Sequence, residues 1–157
     1  MLWESIVSKE RNYMNEIRES LYCVDTNILV YMADATESSK HEKAKKFLNK
    51  IIDNPELYLI SLQNLREFCA VMIGKKKIKD KELEQYFILF QSSFEEVIYD
   101  TPEDVLFASK ITLNKNNHFW DSLLAQTMKR NQVRYIYTEN INDFKKFDNV
   151  TAINPLE

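Results

Sequence analysis

The chain has 157 residues, 45% apolar and 29% charged, with a net charge of −3; this describes one soluble globular domain that needs no disulfide or metal staple and has no overall bias toward nucleic acid. It holds a single glycine, Gly74, where average usage of about 7% would give roughly eleven, and this excludes the G-x-G-x-x-G dinucleotide fingerprint, the P-loop and the G-x-S-x-G nucleophile elbow. Two histidines and two cysteines make a poor Cys/His zinc set, which leaves 24 Asp plus Glu as the chemistry in supply.

Leu2, Trp3, Ile6, Val7, Tyr13, Met14 and Ile17 are spaced for an amphipathic helix. Residues 1–20 are therefore read as an N-terminal helical extension, joined near residue 20 to a domain spanning 21–157. Residues 21–24 form a buried strand ending at Asp25, and 27–33 a helix. Ser39 and Glu42 fit a capping box that opens a helix to residue 52. Pro55 breaks the chain before a second strand over 57–60. Residues 62–73 form a helix with Leu65, Phe68, Cys69 and Met72 on one stripe, and Gly74 suits its C-terminal cap. Asp80 caps a helix to residue 92, followed by a third strand over 97–99. Pro102 opens a helix to residue 113, Asn116 and Asn117 form a turn, and 121–130 is helical. A fourth strand covers 133–137, a short helical turn 140–146 and a fifth strand 150–153.

Short strands alternating with helices place the chain in the α/β class, as a three-layer α/β/α sandwich with a mainly parallel sheet of four to five strands. Cys23 and Cys69 sit in apolar surroundings and read as buried free thiols in a reducing compartment. No apolar run reaches 18 residues and no basic-then-apolar signal opens the chain, so the expected location is the cytoplasm, with no membrane partner.

In parallel folds, ligands bind at the carboxyl ends of the strands. Asp25 ends the first strand, Glu67 lies two turns into the helix after the second, and Asp121 opens the helix before the fourth. Asn140 and Asp143 follow the fourth, beside Thr138 and Glu139. Carboxylates gathered without lysine or histidine raise one another's pKa values. A hard divalent cation with oxygen ligands resolves that repulsion, activates water and stabilises charge on a phosphodiester. The acid set therefore points to metal-dependent phosphodiester hydrolysis.

The segment Leu-Tyr-Cys-Val-Asp25-Thr26-Asn27 resembles the opening block of PIN-domain ribonucleases, especially VapC-type toxins. Ile60-Ser-Leu-Gln-Asn64-Leu-Arg-Glu67-Phe68 is similar to the second block, Phe119-Trp-Asp121-Ser-Leu-Leu-Ala125 to the third, and Tyr137-Thr138-Glu-Asn140-Ile-Asn-Asp143-Phe144 with Ile153-Asn-Pro155 to the last. The resemblance covers about residues 21–157. It implies RNA cleavage with Mg²⁺ or Mn²⁺, a homodimer and a protein antitoxin. The implied catalytic acids are Asp25, Glu67, Asp121 and Asp143, with Asp25, Glu67, Asp121 and Asn140 as metal ligands. Many members carry an aspartate where this chain has Asn140, so either Asn140 or Asp143 fills the fourth place. Thr26, Asn27, Asn64 and Thr138 are expected to support these groups.

Each residue also has a plainer reading. Asp25 and Asp121 are well placed as N-caps, Glu67 as a rim residue, Asn140 as a turn residue and Asp143 as an exposed helix acid. Lys75, Lys76 and Lys77 are either RNA phosphate contacts or a solvated helix end. Glu139, His41 and His118 read as surface groups, and Trp120 as core. A catalytically weakened PIN-like RNA-binding or scaffold module is the alternative function. A receiver-like signalling domain fits less well, since it wants an acidic pair at the first strand.

Overall fold

Strands of three or four residues alternate with helices in the computed structural model, which describes residues 2–157. Met1 and the side chains of Leu2 and Glu19, assigned above to the helical extension, lie outside the described residues. The order is α1 (Leu2–Glu19), β1 (Tyr22–Val24), α2 (Thr26–Ala33), α3 (Ser38–Asp53), a 3-10 turn at Pro55–Leu57, β2 (Tyr58–Ser61), α4 (Leu62–Gly74), α5 (Asp80–Ser93), β3 (Glu96–Ile98), α6 (Pro102–Lys115), α7 (Phe119–Arg130), β4 (Tyr135–Tyr137), α8 (Ile141–Phe144) and β5 (Thr151–Ile153). The sheet runs β3-β2-β1-β4-β5, and every pairing is parallel. The chain winds outward from β1 to β3, then crosses to β4 on the other side. The carboxyl end of β1 is therefore the switch point where such sheets open a crevice.

Period-two alternation divides the strand side chains between two cores. Tyr22, Val24, Tyr58, Ile60 and Tyr137 face α2, α3, α4 and α5. Cys23, Leu59 and Ile136 face α7 and α8. These last three are adjacent in register and fully buried, so the sheet is covered on both faces and the chain forms three α/β/α layers. On the other side the tyrosines form an aromatic ladder, with Phe47 of α3 meeting Tyr58 edge-on at 5.8 Å. Cys69 is only half-buried, unlike Cys23.

The helix ends differ from the sequence expectations in instructive ways. The box expected at Ser39 and Glu42 does not form, because the N-cap falls two residues earlier, at Glu37, which caps α3 without a side-chain bond. Asp80 lies inside the first turn of α5, behind Lys79 as N-cap, where its charge meets the positive end of the helix dipole. Complete boxes form instead at Ser61 with Asn64 and at Thr101 with Asp104. Their third-position partners are Asn and Asp, outside the Ser-x-x-Glu/Gln pattern. Asp104 is buried and also accepts from Arg130 Nε at 2.7 Å, tying α6 to α7. At the end of α1, Arg18 donates to the Asn131 carbonyl at 2.8 Å and to Glu96 at 3.1 Å.

Gly74 is the last residue of α4 and has no positive φ; Lys77 is the nearby left-handed residue, at φ 55°. The cap role expected of the glycine is thus not used. A Cβ added there would meet nothing within 4 Å. Gly74→Ala should raise stability by about 0.5–1 kcal/mol, because it restricts only the unfolded chain. Urea denaturation checks this, with a higher midpoint at unchanged slope as the expected result.

Candidate active site

The site is built where β1 hands the chain to α2. Asp25 caps α2, its Oδ1 accepting from the Thr26 amide at 2.8 Å. Its Oδ2 accepts from Thr138 Oγ1 at 2.7 Å and from Asn27 Nδ2 at 3.1 Å. Capping and site membership thus coexist in one carboxylate. Thr138, fully buried after β4, also accepts from the Asn140 amide at 3.0 Å, and Asn27 Oδ1 accepts from the Glu139 amide at 3.3 Å. These bonds lock the β4 loop to the start of α2.

The neighbouring strand supplies the other side. Asn64 closes the first turn of α4 by accepting from the Ser61 amide and hydroxyl, and its Nδ2 donates to Thr26 Oγ1 at 3.1 Å and to Asp25 at 3.5 Å. One turn on, Glu67 accepts from Thr26 Oγ1 at 3.2 Å and from Gln63 Nε2 at 2.7 Å. Gln63 also donates to the Trp120 carbonyl at 2.9 Å, which ties α4 to the first turn of α7, where Asp121 stands. Gln63 is a supporting residue missed in the sequence reading; its spacing of four before Glu67 on one helix was the available signal.

Asp25, Glu67, Asp121 and Asn140 line one open cleft of about 380 Å³, with Lys75 and Lys76 at its edge. Asp143 and Lys77 are outside this lining, although the charge of Asp143 reaches Asp121. Burial, more than any other influence, pushes the Asp25 carboxyl up to about 6; the charges of Glu67 and Asp121 add to this, and the Thr138 and Thr26 bonds oppose it. Asp121 is raised as well, by burial first and then by Asp143, with His118 pulling the other way. Two nearby lysines are engaged elsewhere: Lys76 pairs with Asp34 at 2.5 Å and Lys40 with Glu139 at 2.6 Å, while the charge of Lys146 reaches Asp121. Among the described residues, no lysine, arginine or histidine hydrogen-bonds to Asp25, Glu67 or Asp121. An all-oxygen donor set, with the Asp25 and Asp121 carboxyls raised and no cationic side chain among the described residues hydrogen-bonded to them, suits a hard divalent cation. As they stand, no three acids, histidines or cysteines among the described residues are close enough together to hold an ion.

Four residues differ from their sequence readings. Asp121 is not an N-cap; His118 holds that position, because α7 begins at Phe119. Trp120 is 59% exposed in the first turn of α7, whereas Leu124 and Met128, one and two turns further along, are buried. His41 is half-buried and contacts the Tyr31 carbonyl through Nδ1 at 2.8 Å. Glu139 faces Lys40 and accepts from the Tyr31 hydroxyl at 2.6 Å rather than standing free in solvent.

The model of one protein family, the PIN domain, matches residues 22–150. The chain belongs to the PIN domain family. Among solved structures, the Mycobacterium tuberculosis toxin VapC20, which cleaves the sarcin-ricin loop, is 17% identical, with a TM-score of 0.65 over 82% of this chain and 96% of its own. VapBC2 of Rickettsia felis, bound to a DNA fragment from its promoter, is 24% identical, with a TM-score of 0.60 over 85% and 98%. FitAcB of Neisseria gonorrhoeae is 16% identical, with a TM-score of 0.59 over 86% and 98%. At these identities the likeness establishes a shared PIN fold. No curated protein matches the sequence. PIN membership sets aside a receiver-like domain.

Proposed function

We propose that this PIN domain is a divalent-cation-dependent endoribonuclease that cleaves RNA phosphodiester bonds and is the toxin of a toxin–antitoxin pair. The observation that carries this reading is the meeting of Asp25, Glu67 and Asp121 in one cleft at the sheet's switch point, with no lysine, arginine or histidine hydrogen-bonded to them among the described residues. These three would hold Mg²⁺ or Mn²⁺, with the Asn140 side-chain carbonyl or Asp143 in the fourth place. When bound, such a cation supplies activation of water and stabilisation of charge on the phosphate. The chain's own part is to fix the acids: Thr138 and Asn27 hold one oxygen of Asp25, the Thr26 amide holds the other, and Thr26 and Gln63 each hold one oxygen of Glu67. Lys75 and Lys76 at the cleft edge, with Lys77 next to them, would meet RNA phosphates. Likeness to VapC20 and to the VapBC2 complex supports a toxin with a protein antitoxin. A homodimer and a cytoplasmic site complete the proposal.

The test is cleavage of single-stranded RNA by the wild type and Asp25→Asn in Mg²⁺ or Mn²⁺, with a chelator as control. Equal cleavage by the variant overturns the assignment. Thr138→Val should weaken Mn²⁺ binding about 10- to 100-fold, because it removes the hydroxyl that fixes Asp25; calorimetric titration reads this. A second reading, a catalytically weakened RNA-binding or scaffold module, is favoured by one observation: the uncharged Asn140 lines the cleft while Asp143 does not. RNA binding without any Mn²⁺ affinity would select it.

A further inference from the structure

A second cavity, of about 450 Å³, opens among α4, α6 and α7 and shares one wall, Glu67, with the acid cleft. Its lining is largely apolar, with Val105, Leu123, Phe119 and Trp120 around it. The Trp120 ring is mostly exposed and braced edge-on by Phe119, with centroids 5.2 Å apart. A rigid indole at the lip of an apolar hollow is the platform on which unstacked bases bind. Gln63 also lines the cavity and is only 6% exposed. Its Nε2 donates to Glu67 and to the Trp120 carbonyl, which leaves Oε1 buried with no partner among the described residues. An orphan acceptor is destabilising until a donor meets it. On the rim, Arg66 is exposed and holds Asp100 loosely, at 3.4 Å.

We infer that this cavity receives one unpaired, amino-bearing RNA base, adjacent to the phosphate held at the acid cleft. The inference rests on the ribonuclease reading for its substrate class. Adenine, cytosine and guanine each offer a π-face to Trp120 and an exocyclic amine to Gln63 Oε1. Uracil has no amine, and it flanks its one ring N–H with carbonyls that the Gln63 oxygen repels. An aliphatic protein side chain would fill the hollow but leave that oxygen unmatched. Arg66 is placed to meet the neighbouring phosphate. Trp120 and Gln63 are thus specificity-determining residues, and Glu67 is the hinge between base reading and chemistry.

Trp3→Phe leaves Trp120 as the single tryptophan and makes it the reporter. In chelator, adenosine and cytidine should quench it saturably, uridine should bind at least about fivefold more weakly and ribose should have no effect. In cation, Trp120→Ala should raise the KM for RNA cleavage about tenfold with kcat held, as expected for one lost base stack. Equal quenching by uridine, no quenching by adenosine, or an unchanged KM overturns the inference. So does a blue shift with N-acetylleucinamide where nucleosides give no response, which would assign the cavity to a protein side chain. The nucleoside titration needs neither metal nor cleavage, so its outcome is separate from that of the ribonuclease assay.

Discussion

Asp25→Asn is expected to lower RNA cleavage by at least about a thousandfold, or about 4 kcal/mol of transition-state stabilisation, while its melting temperature at pH 7 stays at or above that of the wild type. The two effects come from one arrangement. The carboxylate is half-buried, faces two other acids and is raised to about 6. Its ionised form is therefore held at a cost that the folded protein carries in the absence of a cation. An amide keeps an oxygen for the Thr26 amide and removes the repulsion, but it brings no charge to a divalent ion. A residue that served only as a helix cap would show neither effect, because Asn caps about as well as Asp. Cleavage assays beside calorimetric melting separate the two. Cleavage at the wild-type level with an unchanged melting temperature would return Asp25 to a capping role.

The second large effect concerns pH. Asp25 has a folded value of about 6 against 3.8 unfolded. Between these values the folded protein binds more protons than the unfolded chain, so stability falls as pH rises through the window and is flat above it. Going from pH 5 to pH 7, cation-free protein should lose about 1 kcal/mol from this group. Asp121, also raised, contributes with the same sign. Asp34, Glu139 and Asp104 have lowered values and act oppositely, but only in more acidic solution. Saturating Mn²⁺ should flatten or reverse the slope, because it binds the ionised acids of the folded state alone. Urea titrations at pH 5, 6 and 7, with chelator and with Mn²⁺, read both. A cation-free protein more stable at pH 7 than at pH 5 would contradict the charge balance described for the cleft.

Much of this was legible in the sequence because strand patterning is local and a parallel sheet brings its strand ends to one edge. Residues 21–24 read as a buried apolar run, and the strand ends placed Asp25, Glu67 and Asp121 at one edge before any coordinates. What escaped were features set by partners distant in sequence. Trp120 lies in an apolar motif one turn before Leu124, yet at the first turn of α7 it stays exposed while Leu124 and Met128 pack. Asp104 drew no reading from the sequence, and only the approach of Arg130 makes it a buried lock between α6 and α7. Gly74 had the residue type of a left-handed cap, but the chain turns at Lys77 instead. Gln63 is unremarkable until Glu67 and the Trp120 carbonyl arrive on either side of it.

Asn64 closes the first turn of α4 and, with the same amide, reaches Thr26 and Asp25. The first turn of that helix and the brace on the acid cleft therefore depend on one side chain. A chain in which α4 has not started has neither Glu67 in place nor the brace on Asp25, so a nascent or partly unfolded molecule carries no partial activity. Under the ribonuclease function proposed above, hydrolysis would be all-or-none with folding, and only molecules mature enough for an antitoxin to recognise would cut RNA.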